Sequence, residues 1–135
     1  MECIFCKIVK NELPSFKVYE DEKSLAFLDI KPVSKGHTLL IPKAHYKNLS
    51  ETPDELLAHL AVAAKRVAAA VVKAVTADAF NLSVNCGAAA GQIIFHTHFH
   101  IIPRFSSDRL SPWPHRQYSE GEAESIAEKI RAEIG

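Results

Sequence analysis

Apolar residues recur along the chain with two different periods, and the periods separate strands from helices. Lys17-Val18-Tyr19-Glu20 and residues 24–29 read as strands, with polar Asp21-Glu22-Lys23 as the turn between them. Lys31-Pro32-Val33-Ser34-Lys35-Gly36 is a loop, and residues 37–41 form a β-rich run that Pro42 stops. Residues 81–84 predict another strand. A loop of small residues, 85–91, leads into a long strand over 93–102 that Pro103 ends. In between, Leu56, Leu60, Ala63, Val67 and Val71 recur at helical spacing and predict a face turned to a core. Thr52 is placed to cap that helix, Pro53 suits its first position, and Asp54 and Glu55 favour its positive end. The helix is expected to end near Val75 or Thr76. A second helix begins near Ser119, where Ser119 and Glu122 form a capping box, with Ile126 and Ile130 on one face. Residues 3–9 are apolar with flanking lysines, and periodicity leaves helix and strand open there. The expected fold class is α+β, with about five strands in an antiparallel meander and two main helices.

With 135 residues, the chain has the length of one ordinary domain, expected to span 1–135. Sixteen basic side chains balance sixteen acidic ones, so no charge footprint for duplex nucleic acid is expected. Any anionic ligand must be held by local donors. Residues 58–75, the longest apolar stretch, are broken by His59, Lys65, Arg66 and Lys73, too polar to span a membrane. The opening Met-Glu-Cys-Ile-Phe-Cys-Lys does not read as a signal peptide. Three cysteines, an odd count, argue against a secreted disulfide framework, and a cytoplasmic location is the expectation.

Three of the seven histidines stand at 96, 98 and 100. In a strand all three imidazoles share one face, and Thr97, Phe99 and Ile101 take the other. Three imidazoles together have several readings. They can be a chance run on a solvated face, a three-histidine zinc site, or a nucleophilic centre. Neutral imidazole attacks phosphorus well near pH 7, because its ordinary pKa is about 6.5. One ring nitrogen attacks while the other keeps its proton on a fixed acceptor. Neighbouring imidazoles then donate hydrogen bonds to phosphoryl oxygens.

The run His96-Thr97-His98-Phe99-His100-Ile101-Ile102 resembles the histidine-triad (HIT) motif, His-φ-His-φ-His-φ-φ, with Thr97 as its one departure. The resemblance extends along the chain and is to the Hint-type branch, the purine nucleoside phosphoramidases. Ile4-Phe5-Cys6-Lys7-Ile8-Val9 resembles the N-terminal segment of that branch. Leu25-Ala26-Phe27-Leu28-Asp29-Ile30 and Gly36-His37-Thr38-Leu39-Leu40-Ile41-Pro42-Lys43 resemble its central strands, and Asn85 and Gly91-Gln92 also match. The resemblance implies a five-stranded antiparallel sheet extended across a homodimer. It implies that His98 is the nucleophile, that His100 contacts the α-phosphate, and that His96 and His37 complete the catalytic set. Asp29 would bind the ribose hydroxyls. Phe5, Ile8, Phe27, Leu28 and Ile30 would line the base pocket, and Asn85 would touch the phosphate, with Gln92 orienting phosphate or water.

The implied activity is hydrolysis of purine nucleoside phosphoramidates, or of related bonds at a nucleotide α-phosphate, through a nucleotidyl-histidine. An AMP or GMP moiety is the expected substrate part. Dinucleoside polyphosphate hydrolysis and nucleotide binding without catalysis are the alternatives. Where the branch often carries Ser or Thr after Gln92, this chain has Ile93, which has no proton to give an amine leaving group.

Cys3-Ile4-Phe5-Cys6 is a Cys-x-x-Cys pair, which alone fits a redox pair, two buried thiols or half a zinc site. By resemblance to bacterial zinc-containing members, His45 and His96 would complete a tetrahedral site with Cys3 and Cys6. Such a zinc would be structural, and no catalytic metal is required.

Overall fold

The computed structural model describes residues 3–135. The reading of the N-terminus rested in part on Met1 and Glu2, which lie outside the described residues. Five strands form one antiparallel sheet: β1 (Lys17–Glu20), β2 (Ser24–Leu28), β3 (Thr38–Pro42), β4 (Ala79–Val84) and β5 (Phe99–Arg104). Their order is β1-β2-β3-β5-β4. Helix α1 (Ile4–Val9) resolves the open choice at the N-terminus, and it is capped by the Cys3 thiol, which accepts from the Cys6 amide at 3.4 Å. Helix α2 (Asp54–Val75) and helix α3 (Glu122–Ile134) match the two periodic segments.

The sheet is apolar on both faces. On one, Ala26, Leu40, Phe99 and Ile101 pack against Leu60, Ala63, Val67 and Val71 of α2. On the other, Leu25, Phe27, Leu39 and Ile41 pack against Phe5 and Ile8 of α1. This short helix covers only part of its face, which leaves room beside it for the histidines. Gly36 makes the turn into β3 possible. Its φ is +97°, and a Cβ there would stand 2.9 Å from a Val75 methyl. Any side chain at 36 would push β3, and with it His37, away from α2.

Three local expectations are corrected. The ladder of the last strand starts at Phe99 and not at 93. Residues 93–98 approach it along a separate path, where the Thr97 amide donates to the Tyr46 carbonyl at 2.8 Å. Thr52 does not cap α2. Its hydroxyl donates to the Asn48 carbonyl at 2.8 Å and pairs with the Thr97 hydroxyl at 2.8 Å, while Pro53 occupies the cap position itself. Half of the capping box forms before α3. Glu122 accepts from the Ser119 amide at 2.9 Å, but the Ser119 hydroxyl turns to the same carboxylate, and Gly121 stands at the cap. Ile126 and Ile130 do share a face, yet no residue of α3 is buried.

Candidate active site and metal centre

The alternation expected of the triad survives although the strand is shorter. Phe99 and Ile101 turn into the α2 core, and Thr97 meets Thr52 on that side. His96, His98 and His100 turn the other way. His96 and His98 are buried, and both stand roughly perpendicular to the Phe5 ring, with ring centroids 5.8 and 5.2 Å away. His98 and His100 rings lie 5.0 Å apart.

Backbone groups fix which nitrogen of each ring carries the proton. A carbonyl only accepts, so a ring nitrogen beside one must be N–H. His98 Nδ1 lies 2.7 Å from the His96 carbonyl, which leaves Nε2 bare. His96 Nε2 lies 2.8 Å from the Pro42 carbonyl, which leaves Nδ1 bare. The Val33 amide donates to His37 Nδ1 at 3.0 Å, so His37 carries its proton on Nε2. That proton goes to His100 Nδ1 at 2.9 Å, which makes His100 Nε2 a donor. Burial lowers the pKa of all four rings, to about 4 for His96 and His100. The rings are therefore neutral at pH 7.

Asp29 sits beside this chain of bonds. One of its oxygens accepts from the Lys31 amide at 2.8 Å, and the other lies 3.7 Å from His37 Nε2. The second oxygen retains acceptor capacity for a ligand hydroxyl. Asn85 is half-buried, and its amide makes no hydrogen bond among the described residues. Gln92, by contrast, is spent on structure. Its oxygen accepts from the Gly87 amide at 2.8 Å, and its nitrogen donates to the Lys47 and Ile94 carbonyls at 2.9 and 3.0 Å. The expectation that it orients phosphate or water is thereby corrected: it shapes the loop over 87–91.

The expected base pocket divides. Phe5, Ile8 and Phe27 belong to the core cluster beneath the histidines, with Phe5 and Phe27 edge to face at 5.5 Å. Leu28 lines a groove beside α2, on the face away from the histidines, and is removed from the pocket. Ile30 is 80% exposed.

The metal-type cluster forms as expected from Cys3, Cys6, His45 and His96, whose ligand atoms all lie within 4.8 Å of one another. His96 Nδ1 stands 3.4 Å from the Cys3 sulfur, 3.6 Å from the Cys6 sulfur and 3.0 Å from His45 Nδ1. The Cys6 sulfur is 3.4 Å from His45 Nδ1. Tetrahedral zinc with ordinary Zn–S and Zn–N bonds sets ligand separations of about 3.3 Å between nitrogens, 3.6 Å between nitrogen and sulfur and 3.8 Å between sulfurs. The donor set fits that ion, and the separations lie within about 0.3 Å of those it sets, with the two imidazole nitrogens the tightest pair. Bare His96 Nδ1, fixed by the Pro42 carbonyl, is the nitrogen such an ion needs. The three triad rings do not converge on one metal, because His96 faces the thiols and His98 donates through Nδ1 to the His96 carbonyl.

The pattern of the HIT domain matches residues 10–107, more than half of the chain. The chain belongs to the HIT family. Among the relatives of this HIT protein is "Adenylylsulfatase HINT3" of Arabidopsis thaliana, 52% identical over 81% of this chain. The chain spans 55% of the length of that relative. "Adenosine 5'-monophosphoramidase HNT1" of Saccharomyces cerevisiae is 46% identical, over 83% of this chain and 70% of its own. Among solved structures, SMU.412c of Streptococcus mutans UA159 superposes with a TM-score of 0.94 at 43% identity, covering 99% of this chain and 86% of that one. A zinc-bound histidine triad family protein of Mycobacterium smegmatis superposes at 0.79 with 39% identity, covering 98% of each chain.

What sequence reasoning missed in this HIT site is mostly backbone. The His96 and Pro42 carbonyls and the Val33 amide set the tautomers, and no residue type announces them. Thr52 was legible as a polar residue but not as the partner of Thr97.

Proposed function

We propose that this protein is a nucleotide hydrolase that passes a nucleotidyl group first to His98 Nε2 and then to water. The observation that carries the reading is the 2.7 Å bond from His98 Nδ1 to the His96 carbonyl, on a ring that burial keeps neutral. It leaves one lone pair, aimed from a fixed ring. His98 Nε2 attacks the α-phosphorus, the bond to the leaving group breaks, and the leaving group takes the electron pair. The positive charge gained by the ring is eased by the carbonyl on its Nδ1 proton. His100 Nε2–H, oriented by His37, donates to a phosphoryl oxygen as charge develops. Water then attacks phosphorus, the P–N bond breaks, and a nucleoside monophosphate leaves. The free oxygen of Asp29 accepts the ribose hydroxyls, and the unpaired Asn85 amide serves the phosphate.

A purine nucleotide with an AMP or GMP moiety is the substrate class, supported by two relatives named for adenylyl substrates. Ile93 is 83% exposed and brings no donor, so a leaving group that departs as a stable anion needs less from this site than an amine. Zinc on Cys3, Cys6, His45 and His96 would tie α1 to the catalytic segment and hold the His96 ring, a reading supported by the zinc-bound relative of Mycobacterium smegmatis. The thiol pair suits a reducing compartment such as the cytoplasm. A homodimer is supported by the edge strand β4, where Phe80 and Leu82 are 43% and 46% exposed.

Intact-protein mass during single turnover of an adenosine phosphoramidate and of adenylyl sulfate tests the reading. A transient adduct of one adenylyl group is expected in the native chain and not in His98→Ala. Absence of adduct and turnover with both substrates in folded, zinc-loaded protein would overturn it in favour of nucleotide binding without catalysis.

A further inference from the structure

Helix α3 is a problem in physical chemistry as it stands. A helix of thirteen residues is marginal in water unless something packs against it. Yet none of its residues is buried, and Ile130 and Ile134 are 54% and 81% exposed. Ile126, Ile130 and Ile134 follow each other at intervals of four, with Ala127 beside them, so they form one apolar stripe. The segment leading to it is equally bare: Trp113 is 88% and Tyr118 67% exposed. Every hydrogen bond made by residues 111–135 among the described residues stays inside that segment. The root of the arm, however, is fixed. Arg104 grips Asp108 through two bonds of 2.8 and 3.1 Å and also holds the Leu110 carbonyl.

On the opposite side of the account stands an apolar groove of about 220 Å³ between α2 and strands β1 to β3. Val18, Leu28, Val67, Val71 and Val75 line it, and Arg66 is its one charged residue. It lies on the sheet face away from the histidines, so it is no part of the catalytic site. Its charge complements α3. From Lys65 to its end, α2 carries Lys65, Arg66 and Lys73 and no carboxylate. Helix α3 carries Glu122, Glu124, Glu128 and Glu133 against Lys129 and Arg131.

We infer that α3 of one protomer seats its isoleucine stripe in the α2 groove of a second copy of this chain. The arm over 109–121 serves as the strap between them. Thirteen extended residues reach about 40 Å, enough to cross to a neighbour. The seat removes apolar surface from water on both partners and brings the glutamates of α3 over the basic half of α2. This inference rests on the homodimer reading, which placed contact at the β4 edge, and adds a second, separate contact.

The test is a disulfide trap in the full, zinc-loaded chain with Cys86→Ser. Ala74→Cys sits in the groove and Ala127→Cys on the stripe of α3. Mild oxidation is expected to give covalent dimers at least ten-fold more readily than Ala74→Cys with Ala132→Cys, which lies on the far side of α3. A link within one chain, running as a compact monomer, would overturn the second copy as occupant. No preferential link would overturn the seat. Light scattering on the same samples separates the two readings. A dimer that does not link sinks the seat and keeps the homodimer, whereas a monomer sinks both. Ile126→Asp with Ile130→Asp supplies the second variant, expected to abolish the link and lower the melting temperature while adduct formation at His98 persists.

Discussion

The cluster of Cys3, Cys6, His45 and His96 and the cluster of Asp29, His37 and His100 each gather metal-type ligand atoms within 4.8 Å of one another. By residue type both are plausible metal sites, since two histidines and a carboxylate hold iron in many proteins. Proton positions separate them. In the first, the Pro42 carbonyl accepts from His96 Nε2–H and so leaves Nδ1 bare toward the thiols. In the second, the Val33 amide occupies His37 Nδ1 and forces the proton onto Nε2, the atom that a metal would need. Moving that proton would set two N–H groups against each other. The first cluster leaves a lone pair open to a cation, and the second commits its nitrogens to a directed hydrogen bond. A ligand inventory does not distinguish the two, but one carbonyl and one amide do.

The sharpest way to break this comparison is to remove a thiol. Cys3→Ala or Cys6→Ala is expected to drop bound zinc from near one per chain to near zero, with a loss of several degrees in melting temperature. His37→Ala and His100→Ala are expected to keep the metal. Metal analysis of the purified variants checks this, and zinc lost with His100→Ala would reverse the assignment. Next in size, His37→Ala is expected to lower kcat by roughly 10²-fold with little change in KM, because His37 acts through His100 on developing charge. A change in KM alone would mark His37 as a binding group.

These clusters also show what was legible in the sequence and what was not. The strands, α2 and the shared face of the triad follow from periodicity, because each is a local pattern with a buried side. The segment 3–9 was ambiguous because six apolar residues fit helix and strand alike, and only the Cys3 cap and contact with the sheet decide it. The strand over 93–102 was drawn too long because alternation continues through His96 and His98 after the ladder has ended. Alternation records which face a side chain takes, while a ladder depends on where backbone partners stand. Gln92 was misread for a related reason: its type advertises hydrogen bonds but not to whom. The two thiols and two imidazoles matched by resemblance do converge, into a group that could hold a metal ion.

The third prediction concerns pH. Burial holds His37, His96, His98 and His100 below the ordinary histidine pKa in the folded chain. The unfolded chain, with rings near 6.5, therefore binds more protons as pH falls. Stability is full above about pH 7 and declines toward pH 4. For His100, with a folded pKa of about 4, the loss reaches about 2 kcal/mol by pH 5. Melting temperature measured at pH 7.5, 6 and 5 should fall steadily in the native chain and less steeply in His100→Ala. Equal slopes would mean that His100 is not buried neutral.

The smallest effect is expected at Thr97, the one residue of the triad motif that is not apolar. It faces α2, where an unpaired hydroxyl is costly, yet the Thr52 hydroxyl stands 2.8 Å away and the Tyr46 carbonyl 3.2 Å away. Thr52→Val removes the first partner and the bond to Asn48, but Thr97 still has Tyr46. The cost should be about 1 kcal/mol, a few degrees in melting temperature. Changing both threonines to valine removes donor and acceptor together in side chains of nearly the same shape. That pair should cost less than the sum of the single changes, because no buried hydroxyl is left without a partner. Strict additivity in a double-mutant cycle would mean the two hydroxyls do not interact, and that Thr97 is held by the Tyr46 carbonyl alone.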